Sequence, residues 1–161
     1  MPTIREANDA ADMAKARELF IEYQRALGVD LCFQGFDQEL ATLPGRYARP
    51  TGRLLLAIDG ESILGVAALR ALDGGDCEMK RLYVRAEGRG LGIGRLLIAT
   101  LIEEARLAGY RRMRLDTLPG MTEAQSLYRS IGFTETAPYC GNPIAGTLYM
   151  AFDLLSRRPE R

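Results

Sequence analysis

The chain contains no histidine. That absence removes Ser-His-Asp and Cys-His nucleophilic catalysis, and with them most zinc chemistry. Its three cysteines, Cys32, Cys77 and Cys140, are an odd set without metal-ligand spacing. They read as free thiols of a reducing compartment, with Cys77 and Cys140 as small core residues. No Gly-Lys-Ser/Thr tripeptide occurs, which excludes a Walker A phosphate loop. Net charge is missing too: 21 basic residues balance 21 acidic ones. That balance argues against nucleic acid and against an anionic membrane surface as partners. Lysine is nearly absent, since Lys15 and Lys80 are the only two. No apolar run is long enough to cross a bilayer, and no charged-then-apolar leader is seen, so a cytoplasmic location is expected.

What is present suits a globular protein. The 161 residues are 47% hydrophobic and 26% charged. This reads as a single domain over residues 1–161, with 156–161 as a frayed tail. Residues 3–6 read as a strand, followed by a helix capped by Asn8. Met13, Ala16, Phe20, Tyr23 and Leu27 give that helix an apolar stripe. A shorter helix is expected over 36–43. Strands over 53–58 and 63–69 flank an Asp59-Gly60 turn, and the next strand runs over 78–84. A helix from Gly92 carries Ile93, Leu97, Ile98, Leu101, Ile102 and Ala105 on one broad face. A strand over 112–118 follows. Thr122 and Gln125 have capping-box spacing for a helix through Ile131. Strands over 133–140 and 148–154 complete the order β-α-α-β-β-β-α-β-α-β-β. The expected fold is a mixed α/β (α+β) sheet flanked by about four helices.

The most informative stretch is Arg89-Gly90-Leu91-Gly92-Ile93-Gly94. It lies between a strand and a helix N-terminus. There, free N–H groups and the helix dipole attract an anion, and glycine lets backbone approach a phosphate. Arg95 stands where a dinucleotide fingerprint needs its third glycine, so that fingerprint fails. What remains is Arg-x-x-Gly-x-Gly, at Arg89, Gly92 and Gly94. A glycine-rich helix entry without a ligand would look similar. Two further motifs separate the cases: Glu78-Met79-Lys80-Arg81-Leu82-Tyr83-Val84-Arg85 upstream, and Ala124-x-x-Leu127-Tyr128-x-x-x-Gly132-Phe133 downstream.

Together, in this order, the three motifs resemble the GNAT family of N-acetyltransferases over nearly the whole chain. The resemblance implies acetyl-CoA or another short acyl-CoA as co-substrate, no metal, and transfer to a primary amine through a ternary complex. It places the pantetheine along the backbone of Leu82, Tyr83 and Val84. The pyrophosphate would sit on Arg89, Gly90, Leu91, Gly92, Ile93, Gly94 and Arg95. An N–H near Leu82 would serve the oxyanion. Tyr128 matches the family's general acid, although its helical neighbours also suit a core residue. With no histidine, a carboxylate is the expected base, and Glu78 is the candidate. Glu78 otherwise reads as a strand glutamate paired with Lys80 or an arginine. The family's asparagine between its fifth strand and fourth helix is missing here, with Thr117 or Thr122 as replacements. The acceptor is expected between residues 28–47 and 139–147, with Phe33, Phe36, Tyr139 and Asn142 as contacts. A small-molecule amine is preferred to a protein, and a homodimer is an open option. A non-catalytic acyl-CoA-binding sensor or regulatory module is the alternative; it would need neither Tyr128 nor Glu78.

Overall fold

The computed structural model describes residues 1–28 and 35–155. Cys32, Phe33 and the tail at 156–161 lie outside the described residues. The elements are β1 (Thr3–Glu6), α1 (Ala10–Leu27), α2 (Phe36–Thr42), β2 (Arg53–Asp59), β3 (Ser62–Ala71) and β4 (Asp76–Val84). They continue as α3 (Ile93–Leu107), β5 (Arg112–Thr117), α4 (Thr122–Ile131), β6 (Thr134–Thr136) and β7 (Leu148–Asp153). One sheet has the order β1-β2-β3-β4-β5-β7-β6. Its neighbours are antiparallel except β4 and β5, which run parallel. A parallel pair needs a crossover, and α3 supplies it.

Because successive strand residues face opposite sides, the sheet feeds two cores. On one side Leu97, Ile98, Leu101 and Ile102 of α3 pack on Leu55, Leu69, Met79 and Leu115. The same core takes in α4 through Tyr128, with Ala124, Leu127 and Ile131 packed against it. On the other side Ala16, Leu19 and Phe20 of α1 and Phe36 of α2 cover Leu54, Leu56, Val66 and Ala68. The stripes expected for α1 and α3 are therefore the faces that carry these helices. Arg85 ties α1 to the end of β4, donating from Nε and Nη2 to Glu22 at 2.5–3.1 Å.

Several boundaries differ from expectation for local reasons. The α1 N-cap is Asp9, not Asn8: the Asp9 carboxylate accepts from the Asp12 N–H at 2.8 Å. Asn8 instead gives its N–H to Asp12, whose carboxylate also holds Arg5. The β2–β3 turn is Gly60-Glu61, because Asp59 pairs directly with Ser62. Thr122 is the first residue of α4 rather than its cap, and Gln125 turns to the Leu118 carbonyl, so no capping box forms. The strand expected over 133–140 is only three residues long, β6 (Thr134–Thr136). Cys77 is buried, and burial pushes its thiol up to about 12. Cys140 is exposed rather than a core residue.

Candidate active site

A cleft opens where β4 and β5 part. The two strands pair only through Asp76, Cys77 and Glu78 against Arg112, Met113 and Arg114. Beyond that point their backbones are unpaired with each other. A bulge on β4 adds to the separation. Val66 faces Tyr83 and Ala68 faces Lys80, so three steps on β4 match two on β3. Arg81 sits in the bulge at φ 60°, the one described non-glycine residue with positive φ. The extra residue lets Lys80 and Arg81 both leave the α3 side, while Leu82 and Val84 return to it.

The cleft has an outer groove and an inner pocket. The groove is about 770 Å³ and is lined by Leu82, Tyr83, Val84, the turn at Arg89, Gly90 and Gly92, and the first residues of α3 and α4. Ile93, Gly94 and Arg95 line it, as do Thr122 and Leu127. The N–H of Arg89 is taken by the Ala86 carbonyl. Gly92 caps α3 with no side-chain bond, and the helix ladder begins with Leu96 donating to Gly92. The N–H groups of residues 90–95 therefore have no backbone acceptor among the described residues. Gly90 and Gly92 have φ of 80° and 76°, where a side chain is strained, and a Cβ at either would project into open space. Such a cradle fits a pyrophosphate, which needs several donors close to the backbone. Arg89 and Arg95 flank it, and Arg95 donates to Ser130 Oγ at 2.7 Å. Leu91 stands apart from the other loop residues; it is 56% exposed and does not line the groove.

The inner pocket holds about 30 Å³ and shares Tyr23, Leu27, Leu82 and Met121 with the groove. Lys80, Arg81, Asp116, Tyr128 and Asn142 also line it. Tyr128 comes from α4, where the three- and four-residue spacing puts it beside Ala124 and Ile131. Its ring packs on Phe133 at 5.8 Å, and the residue is 5% exposed. Its hydroxyl has no hydrogen bond to a described residue, yet the one fully buried orphan side-chain atom among the described residues is Thr117 Oγ1. The hydroxyl thus keeps contact with the pocket. Burial pushes its pKa up, with Tyr23 and Asp116 adding to the effect. It is protonated at neutral pH.

Glu78 is 1% exposed and does not line the inner pocket. Register places it opposite Arg70 on β3, which donates at 2.7 Å. Tyr139 donates to its other oxygen at 2.5 Å. The arginine partner foreseen for this glutamate is therefore Arg70. The carboxylate that does line the pocket is Asp116 on β5, which accepts from the Asn142 amide at 3.0 Å. Neither Asp116 nor Lys80 carried a role in the sequence reading. Their signal was the alternation of β4 and β5, which puts Lys80 and Asp116 on the face opposite Met79 and Leu115.

Other expected contacts divide. Asn142 reaches the pocket, whereas Tyr139 does not line it and bonds to Glu78 instead. Phe36 is a core residue, not a wall of the cleft: it lies beneath the Arg81 guanidinium at 5.1 Å and is 1% exposed. Thr117 faces the α4 side, so Thr122, which lines the groove, is the better placed of the two threonines. Among the described residues no cluster suits a metal ion, and no helix is long and apolar enough to cross a membrane.

The profile of the acetyltransferase (GNAT) family matches residues 15–133. A Schizosaccharomyces pombe protein named as an uncharacterized N-acetyltransferase is 43% identical over 145 residues, covering 89% of each chain. A GNAT-family acetyltransferase structure from Staphylococcus aureus superposes with a TM-score of 0.79 at 22% identity, over 96% of this chain and 99% of that one. The YncA structure from Salmonella typhimurium, solved with its cofactor acetyl-CoA, gives a TM-score of 0.73 at 26% identity. It covers 100% of this chain and 98% of that one.

Proposed function

Since the chain belongs to the GNAT family of acetyltransferases, we propose that it transfers an acetyl group from acetyl-CoA to a primary amine of a small molecule. One observation carries the reading: a protonated Tyr128 hydroxyl, without a hydrogen bond to any described residue, lines an inner pocket that also holds a carboxylate and adjoins the glycine-loop groove. Acetyl-CoA supplies an activated thioester carbonyl.

The chain's own residues supply the rest. The N–H groups of 90–95 hold the pyrophosphate, with Arg89 and Arg95 adding positive charge. The free edges of β4 around Leu82, Tyr83 and Val84 hold the pantetheine arm. Tyr128 keeps a proton at the sulfur end of the cleft. A free thiol has a pKa near 8.5 and an ordinary tyrosine about 10, and burial raises this tyrosine further. Its role is therefore a hydrogen bond to the departing sulfur more than full proton transfer. Asp116 faces the nitrogen end and accepts the amine's proton, directly or through water. Glu78, gripped by Arg70, fixes Tyr139 and the loop that carries Asn142.

Purified protein with acetyl-CoA and a panel of amines, peptides and amino acids tests this by thiol release. Amine-dependent release is expected. Tight acetyl-CoA binding with no release in any mixture would instead favour the non-catalytic binding module.

A further inference from the structure

The sheet face that looks toward α1 and α2 carries most of its charges in pairs. Arg70 holds Glu78, Arg81 holds Glu39, and Arg112 and Arg114 share Asp76. Two charges stand outside this pairing. Asp116 has only a neutral donor, the Asn142 amide. Lys80 is 8% exposed and has no ion pair or hydrogen bond among the described residues. Both line the inner pocket, and they do not pair with each other. Burial is the largest influence on Lys80 and pulls its pKa down; the charges of Glu78 and Asp116 nearby offset only part of this cost. A ligand anion at that point would remove the cost.

Building on the acetyltransferase reading, we propose that Lys80 receives a carboxylate of the acceptor, and that the acceptor is a small amino carboxylate. Its amine lies against Asp116 and its carboxylate against Lys80. An anion and a cation that line one pocket without a direct ion pair between them complement a zwitterion. A polyamine would bring a second cation against Lys80. A peptide N-terminus has an amide in place of the α-carboxylate next to its amine, and so offers Lys80 no α-carboxylate.

The test compares each proteinogenic amino acid with its carboxamide and its decarboxylated amine, at saturating acetyl-CoA, for wild type, Lys80→Met and Lys80→Arg. Wild type is expected to favour the acid over the amide for at least one side chain. Lys80→Met should lower kcat/KM for that acid by about 10–100-fold, the loss expected for a hydrogen bond to a charged group. The loss should fall on the acceptor KM and exceed any loss with the amide, with the acetyl-CoA KM unchanged, and Lys80→Arg should keep part of the preference. Turnover confined to compounds without a carboxylate would overturn this inference and leave the acetyltransferase reading standing. So would an acid-to-amide ratio that Lys80→Met leaves unchanged. Should Lys80→Met not fold, the wild-type ratio and Lys80→Arg decide the matter alone. Should no compound elicit thiol release, both would be overturned.

Discussion

Tyr128 packs its ring in the core and turns its hydroxyl to the pocket, so a single atom separates its two roles. Phenylalanine keeps the ring. Tyr128→Phe should fold and bind CoA as wild type does, while the chemical step falls by about 10²–10⁴-fold, the usual worth of a positioned acid. Single-turnover kinetics beside calorimetric CoA binding checks this; an unchanged chemical step would return Tyr128 to the core. The two carboxylates separate by pH. Asp116→Asn should lower turnover most near neutral pH and recover in part at high pH, where free amine is abundant. Glu78→Gln should lower it without that recovery, since Glu78 holds Arg70 and Tyr139 instead of facing the amine. The opposite pattern would make Glu78 the base. At this scale the glycine loop and Tyr128 were legible in the sequence, because each sits at a fixed offset from an element boundary. Phe36, Lys80 and Asp116 were not. Whether an aromatic fills a core or a cleft, and whether a charge finds a partner, depends on strands far apart in sequence, such as β3 supplying Arg70 to Glu78.

At the scale of elements, the cleft depends on a bulge, a short parallel pairing and a helix start. Gly92 caps α3 at φ 76° with space beyond its Cα. Gly92→Val strains that backbone and puts a branched side chain in the cradle. It should weaken CoA binding strongly in a protein that still shows native circular dichroism. Calorimetry with CoA measures it. The α3 stripe carries one core, and Leu97 is fully buried within it. Leu97→Ala should cost about 2–5 kcal/mol in denaturant unfolding, from lost transfer energy plus the cavity left behind. At the other end of the sheet, β1 and α1 are clipped together by Arg5 and Asp12. The Arg5 hydrogen bond holds the Asp12 carboxyl below its ordinary range. Its stabilisation is therefore complete above the ordinary carboxylate pKa and is lost as pH falls through the lowered value. Asp12→Asn should destabilise at pH 7 and converge on wild type in acid, as thermal melts across pH will show. Long periodic helices were readable because one face recurs many times. Caps and turns shifted by a residue because neighbours compete: Asp9 and Asn8 both offer a cap, and Asp12 draws Asn8 away. The bulge at Arg81 left no mark in the sequence, since its cause is the register with β3.

Over the whole molecule, two cores on opposite faces of one sheet hold β4 and β5 firmly at one end and leave them apart at the other. The groove is the space so created, bordered by α3 and α4 on one side and by Tyr23 and Leu27 of α1 on the other. A ligand bound across these elements should stabilise the fold as a unit. At a hundred times its dissociation constant the gain is about 2.7 kcal/mol. Acetyl-CoA should raise the melting temperature accordingly, while NAD and ATP should not. The most direct measurement, though, is of transfer itself: the initial rate of thiol release from acetyl-CoA by the purified chain, with and without an amine acceptor. The cleft geometry predicts release that saturates in both substrates, requires the amine, and yields one N-acetylated product per thiol. Saturable acetyl-CoA binding with no amine-dependent release across the panel would contradict it.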